Sequence, residues 1–302
     1  MNRHTDFKPI TLSDKAWMQS LFELSGYQAV EYNFDYCYIW QEALECRVAR
    51  LDDLLLLKAG GPEPAYMFPP GRGDLSAALD LLCDDAVMDG QPMRLFAVLP
   101  DQMRQLEQLR PGFFDFAAMR QDFDYIYEAE KLIHLPGGHL HSKRNHIHRF
   151  KENYPDWRYE PISAGNIEEV KAMYQDWLTL NAERIAGSPW DETVAVGFAL
   201  NDFAQLDMVG GLIRADGRIM AFSVGSRLNA DTYMIHLEKA YGDIQGAYAI
   251  INQEFAAHNC RDYRFINRED DLGLPGLRKA KLSYHPFGLL EKYIASQKLS
   301  AC

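Results

Sequence analysis

The sequence predicts a mixed α/β protein built from two domains, and three observations lead there. Its 302 residues amount to about two domains of ordinary size. Two successive series of segments switch between helical and strand periodicity, and the polar, proline-containing stretch Asn153-Tyr154-Pro155-Asp156 lies between them. A composition of 47% hydrophobic and 25% charged residues supplies a sizeable packed core, which excludes collagen-like, coiled-coil and wholly disordered chains. The expected domains are 1–154 and 155–302.

In the first series, Trp17, Leu21, Phe22 and Leu24 lie near helical spacing, predicting a helix from about Ser13 to Glu23. The aromatic patch from Tyr27 to Trp40 reads as core. Arg47 to Leu51 and Leu54 to Lys58 flank Asp52-Asp53 as a hairpin, and Gly60-Gly61-Pro62 ends it as a turn. A helix over Leu75 to Met88, a strand over Leu95 to Leu99, a helix over Gln102 to Gln108 and strands over Phe123 to Tyr127 and Lys131 to Leu135 complete the alternation. The second series starts with a helix from Ile167 to Arg184, stopped at Gly187. Ser188-Pro189-Trp190-Asp191-Glu192 restarts a helix with a serine cap, proline in the first turn and carboxylates at the positive dipole end. Strands Val209 to Arg214, Ile219 to Arg227 and Thr232 to Lys239 form a meander. A helix over Gly246 to His258, a strand over Tyr263 to Ile266 and a basic helix near Leu277 to Leu282 complete the series.

Thirty-one basic against 43 acidic residues leave a formal charge of -12. That balance argues against a protein that coats nucleic acid or anionic lipid indiscriminately, so no DNA partner is expected, and leaves room for a local basic groove. Cys37, Cys46, Cys83, Cys260 and Cys302 show no C-x-x-C spacing and read as reduced, buried thiols. Met1 to Lys8 is polar, and no stretch approaches the roughly 18 apolar residues of a spanning helix. The expectation is a cytoplasmic protein without an integral membrane segment, with peripheral membrane contact left open.

The most concentrated basic stretch, Gly137 to Lys151, has the shape of a helix start with Ser142 as cap. Leu140, Lys143, Arg144, Ile147 and Lys151 share one side of that helix, mixing cations with aliphatic side chains. One reading is a cleft wall gripping a phosphate or carboxylate; the plainer one is a solvated basic face. His139-x-His141 and His146-x-His148 resemble chelating pairs, but side chains two apart on a helix diverge by about 200°, so no metal is expected.

Strand alternation from Thr232 to Glu238 places Tyr233, Ile235 and Leu237 on one face and Met234, His236 and Glu238 on the other. If the second face lines a cleft, Glu238 or His236 is the candidate proton acceptor; otherwise they are a paired surface carboxylate and a hydrogen-bonded histidine. Ala221, Ser223 and Gly225 leave room on the neighbouring strand for a close-packed helix or an extended ligand. From Tyr241 the chain runs through Gln245, Gly246 and Ala247 into a helix. That arrangement presents N–H groups to a phosphate, although two glycines equally serve a tight turn. Arg278 and Lys281, three apart on one helical face, either pair with Glu269, Asp270 and Asp271 or hold a donor phosphate or a developing oxyanion.

Two segments carry a family resemblance. One is Lys131-Leu132-x-x-Leu135-x-Gly137-(x5)-Lys143-Arg144-Asn145-(x4)-Phe150. The other is Glu269-x-Asp271-Leu272-Gly273-(x2)-Gly276-Leu277-Arg278-x-Ala280-Lys281-x-Ser283-Tyr284-x-Pro286. The chain resembles a bacterial family that shares the C-terminal domain of phosphatidylglycerol lysyltransferases. The resemblance implies two tandem GNAT-like acyltransferase folds, each a mixed, mostly antiparallel sheet flanked by helices, a plan also found in Fem-type aminoacyltransferases. Such relatives move an aminoacyl group from aminoacyl-tRNA to a lipid headgroup or peptidoglycan precursor in a groove of the second fold. Carried over, Lys143, Arg144 and Asn145 match the family's basic helix, and Arg278 and Lys281 the basic end of its closing motif. The GNAT pyrophosphate loop has glutamine or arginine three residues before its first glycine and glycine or alanine two residues after it. Here Asp243 and Tyr248 stand at those positions around Gly246. The lysyltransferases' multi-helix membrane region has no counterpart in this sequence.

The expected function is transfer of an activated acyl or aminoacyl group to an amine or hydroxyl acceptor, such as a lipid headgroup or peptide. The donor is aminoacyl-tRNA or acyl-CoA, with no cofactor assigned. Glu238 or His236 takes the proton, and Lys281 and Arg278 stabilise negative charge. A non-catalytic module that retains an anionic ligand, and a coenzyme A dependent N-acetyltransferase, are the alternatives.

Overall fold

The structure, a computed structural model, describes residues 5–183 and 192–298. The expected stop at Gly187, the capped restart at Ser188 to Asp191 and Cys302 lie outside the described residues.

After the short strand β1 (Lys8–Pro9), helix α1 (Lys15–Ser25) buries Met18, Leu21 and Phe22 at helical spacing and ends where Gly26 adopts φ 64°. The aromatic patch contains a second helix, α2 (Phe34–Trp40), because the Asn33 side chain accepts the Tyr36 N–H and caps it. The predicted hairpin forms between β2 (Arg47–Leu51) and β3 (Leu54–Ala59). It is followed by β4 (Ala65–Met67), α3 (Leu75–Met88), β5 (Arg94–Val98), α4 (Pro100–Leu109) and β6 (Phe114–Ala118).

β7 (Asp124–Glu128) is close to its predicted position, but the strand predicted over Lys131 to Leu135 is instead helix α5 (Ala129–His134). Ala129, Leu132 and Ile133 are buried while Glu130 and Lys131 are exposed, which is a helical rather than an alternating pattern. Then come α6 (His141–Asn153), β8 (Arg158–Pro161), α7 (Ile167–Leu180) and α8 (Glu192–Asn201). The meander of β9 (Val209–Ala215), β10 (Arg218–Arg227) and β11 (Thr232–Ala240) is antiparallel throughout. α9 (Ala247–Asn259), β12 (Phe265–Asn267), α10 (Pro275–Leu282), β13 (Gly288–Leu290) and β14 (Tyr293–Gln297) complete the chain.

The strands form two seven-stranded sheets, ordered β1-β2-β3-β4-β5-β14-β6 and β13-β7-β12-β11-β10-β9-β8. Contacts divide the chain into two units, one running to Asp124 and resuming at Leu290, the other Tyr125–Leu289. The division therefore precedes the Asn153-Asp156 junction, and β14 belongs with the first sheet. The reason is pairing: β7 bonds to β12, whereas β14 bonds to β5 and β6. In the first unit the apolar core includes Leu56, Tyr66, Phe68, Leu79, Leu82 and Leu95.

One irregularity redirects the face that matters. Val224 pairs with Leu237 but Gly225 pairs with Ile235, so His236 is an extra residue in β11. Glu238, opposite Ser223, consequently shares a face with Ile235 and Tyr233 rather than with Met234. This corrects the expectation of strict alternation. α9 packs on the Glu238 face, where Phe255 meets the Tyr233 ring at 6.2 Å, and Gly225 on the neighbouring strand leaves room for that ring, since a Cβ there would lie 2.7 Å from it.

Among the described residues no helix is long and apolar enough to cross a membrane. Cys37, Cys46, Cys83 and Cys260 are free, and burial raises the Cys46 thiol to about 12.

Candidate functional site

In the second unit β11 and β12 pair in parallel from Thr232 and Phe265 only as far as Met234 and Asn267, while β11 continues to Ala240. Past β12 the chain turns away through Glu269 at φ 55° and Leu272 at φ 50°. Several bonds fasten this turn. Lys281 Nζ donates to the carbonyls of Arg268, at 2.5 Å, and Asp270. Asp271 accepts two bonds from Arg278, at 2.9 and 2.8 Å, one from the Tyr125 hydroxyl at 2.6 Å and one from the Gly273 N–H. Burial opposes ionisation of Asp271, but these bonds outweigh it and hold the carboxyl at about 2.

The fastened turn aims Arg268 back at β11. Its Nη2 donates to Glu238 Oε1 at 2.9 Å, while Asn252 of α9 donates to Glu238 Oε2 at 3.0 Å. The side chains of Arg268 and Glu238 are 11% and 13% exposed, so the pair is largely removed from water. Among the described residues, buried Arg268 Nη1 and Asn252 Oδ1 have no hydrogen-bond partner. Buried donors are nearly always satisfied by protein, water or ligand, so this donor and this acceptor have capacity for a further partner.

A second cation joins them. Lys143, in the first turn of α6, places Nζ 4.0 Å from the centroid of the Tyr284 ring, and the Arg268 guanidinium lies 5.1 Å from the same ring. Tyr127 adds a ring 5.6 Å from Arg268. Burial first and the Arg268 charge second push the Lys143 pKa below the ordinary lysine value, against the pull of Glu238. Burial raises the phenols of Tyr127 and Tyr284, which stay protonated. Two cations and one carboxylate give the cluster a net positive charge.

The other residues expected in the site are employed differently. Lys281 and Arg278 fasten the turn with their charged ends; for Arg278 this is the pairing alternative with Asp271, while Lys281 is engaged by backbone carbonyls instead of an acid. Arg144 Nη1 donates to the carbonyls of Leu135 and Gly137, closing the end of α5, and Asn145 is exposed. Gly246, at φ 89°, approaches α6 so closely that a Cβ would lie 2.2 Å from the His146 carbonyl oxygen. Its freedom therefore serves helix contact; Ala247 is buried and Gln245 exposed. His236 is withdrawn from the cluster by the bulge. Its Nε2 meets Ser226 Oγ at 2.8 Å and its Nδ1 lies 3.9 Å from Glu269 Oε1. Ser226, His236 and Glu269 have the chemistry of an acyl-transfer relay, but the 3.9 Å between His236 Nδ1 and Glu269 Oε1 is too long for the hydrogen bond such a relay needs. Burial lowers His236 to about 3, leaving a neutral ring with little capacity to accept a proton.

Sequence reasoning assigns no role to Arg268, Asn252, Tyr127 or Tyr284, although Arg268 and Tyr284 lie in or beside the closing motif. No group of three or more His, Cys, Asp or Glu residues among those described could hold a metal ion. A cavity of about 620 Å³ in the first unit is lined by residues including Arg47, Lys58, Asp85 and Asp89. Lys58 is already held there by Asp85 and Asp89 at 2.6 Å each. Satisfied charges make that cavity a weaker candidate than the Arg268 cluster.

The family model described as phosphatidylglycerol lysyltransferase, C-terminal, matches residues 22–296. A conserved protein of unknown function from Bacteroides thetaiotaomicron is 38% identical, covers 98% of this chain and 100% of its own, and superposes with a TM-score of 0.92. L-PGS from Bacillus licheniformis, at 16% identity, covers 98% and 95% of the two chains with a TM-score of 0.69. FemX, at 9% identity, covers 98% of each with a TM-score of 0.60. The last two likenesses concern the fold, a mixed α/β architecture with two seven-stranded sheets flanked by helices. By the extent of the family match and the identity to the Bacteroides protein, the chain belongs to the phosphatidylglycerol lysyltransferase C-terminal family.

Proposed function

We propose that the chain transfers an aminoacyl or related acyl group from an activated ester to an amine or hydroxyl acceptor, with the Glu238–Arg268 pair at the reacting centre. One observation carries this reading: Arg268 is pinned by Glu238 yet keeps a buried Nη1 donor unpaired. A preorganised donor in a site with little water stabilises the charge that develops on a carbonyl oxygen under attack. Each Glu238 oxygen accepts one bond, and a carboxylate oxygen has capacity for a second, so Glu238 can also accept the acceptor group's proton. The departing ester oxygen then takes that proton, and the acyl group leaves on its new nitrogen or oxygen.

A donor other than acyl-CoA is supported by Gly246, whose approach to the His146 carbonyl occupies the place where a pyrophosphate would meet the helix start. Exposed Asp243 adds negative charge beside it. Aminoacyl-tRNA is the proposed donor, and a lipid headgroup or peptide amine the proposed acceptor class.

Single-turnover transfer tests the reading, with radiolabelled aminoacyl-tRNA or acetyl-CoA as donor and phosphatidylglycerol vesicles or a peptide amine as acceptor. Transfer from aminoacyl-tRNA is expected, falling about 10²-fold in Arg268→Lys and Glu238→Gln. Undiminished rates in both variants would remove the pair from the reaction, and transfer from acetyl-CoA alone would reassign the donor.

A further inference from the structure

We infer that Lys143 is a site of covalent acylation by acyl phosphates, a modification that silences the anion-binding cluster. The inference rests on the reading of the Arg268 cluster as an anion site and adds a means of regulating it.

The geometry is unusual for a lysine. Lys143 is half-buried, with Nζ packed 4.0 Å from the Tyr284 ring centroid, and Arg268 shares that ring at 5.1 Å. Among the described residues no carboxylate lies within ion-pair distance of Lys143. Glu238, on β11, has committed one oxygen to Arg268 and the other to Asn252. The charged groups facing Lys143 are thus Arg268, just past β12, and the already engaged Glu238. Tyr284, just past α10, contributes a neutral ring. A like charge and partial desolvation favour the neutral amine, and the lowered pKa agrees. A lysine whose ammonium form is disfavoured by a neighbouring cation yields its nucleophilic amine more readily than a solvated one.

Arg268 supplies the other half of the site. Its unpaired Nη1 donor can hold the phosphate of an acyl phosphate, with the acyl carbon toward the lysine on the shared ring. The Lys143 lone pair then attacks the acyl carbon. A C–N bond forms, the C–O bond to phosphate breaks, and inorganic phosphate departs with the electron pair and the proton shed by nitrogen. The product amide carries no charge, so the cluster loses one of its two cations.

Acetyl phosphate provides the probe, with site occupancy on the full chain read by peptide mass spectrometry at pH 8. Lys279, exposed on α10, is the internal reference. Lys143 is expected to acetylate several-fold faster than Lys279, in the direction set by its partial burial and the neighbouring Arg268 charge. Inorganic phosphate should slow modification of Lys143 alone, and Arg268→Gln should abolish the preference. Equal modification of Lys143 and Lys279 in the wild-type protein would overturn the inference, whatever the variant's folding. A retained preference that phosphate does not affect would leave the acylation standing and overturn the anion reading of the site.

Discussion

The two sheets share a plan and differ in the residues that lie beyond their parallel strands. In each, one parallel pair lies inside the sheet, β4 with β5 and β11 with β12, with antiparallel pairing on both outer sides. In the first unit the residues after that pair are apolar and buried: Phe68 beyond β4 and Leu99 beyond β5. In the second, Glu238 and Arg268 stand in the corresponding stretches. The first unit also buries charge, and there every ion has an ionic partner: Lys292, fully buried, is held at 2.7 Å by both Glu31 and Asp124, although Glu31 Oε2 has no hydrogen-bond partner among the described residues. The second unit leaves a guanidinium donor unsatisfied and brings a second cation to the same ring. The same frame thus carries an ion group closed on itself in one unit and, in the other, a guanidinium with a donor to spare.

The largest expected effect comes from breaking the matched set. Lys292→Met leaves two buried carboxylates facing each other, and removing one member of a buried ionic group costs about 3–5 kcal/mol. Urea unfolding should show that loss, and a loss under about 1 kcal/mol would mean that water already reaches these groups. Next comes Gly246→Ala in the second unit, where a positive φ and a Cβ 2.2 Å from the His146 oxygen act together. Left-handed strain and overpacking predict a loss of about 2–4 kcal/mol, read as a lower Tm. An unchanged Tm would show that α6 yields readily, reopening the helix start to a phosphate.

The smallest effect sharpens the contrast through pH. Burial raises Glu31 to about 7, against the opposing attraction of Lys292. A carboxyl with a raised folded pKa gives stability that is complete below about 4.5 and is lost as pH rises through 7. Between pH 5 and 8 this group should remove about 2 kcal/mol, and Glu31→Gln should flatten that slope in urea titrations. An identical slope in the variant would place the titrating group elsewhere.

Much of the architecture is legible in the sequence, for physical reasons that also mark the limit. The hairpin around Asp52-Asp53 and the meander from Val209 can be read because period and turn chemistry are local. The α5 segment misleads because a short apolar run suits a strand or a helix until its buried side is known. Glu238 stands out as a lone carboxylate in an apolar strand. Arg268 does not, since beside Glu269, Asp270 and Asp271 it reads as one cation among sufficient acids. Lys281 and Arg278 draw attention as charges, but the backbone carbonyls and the carboxylate that absorb them are tertiary neighbours. The extra residue at His236 leaves no mark in composition, yet it reverses side-chain parity for the residues after it.

The placement of β14 between β5 and β6 sets an order of assembly. A ribosome delivers Tyr125–Leu289 as one uninterrupted stretch, so the second unit has all its strands before Tyr293–Gln297 emerges. The first sheet, begun earlier, must wait with a gap between β5 and β6 until that closing strand arrives. The half that is synthesised first is therefore finished last, and a chain cut short before Tyr293 would expose the unsatisfied edges of β5 and β6.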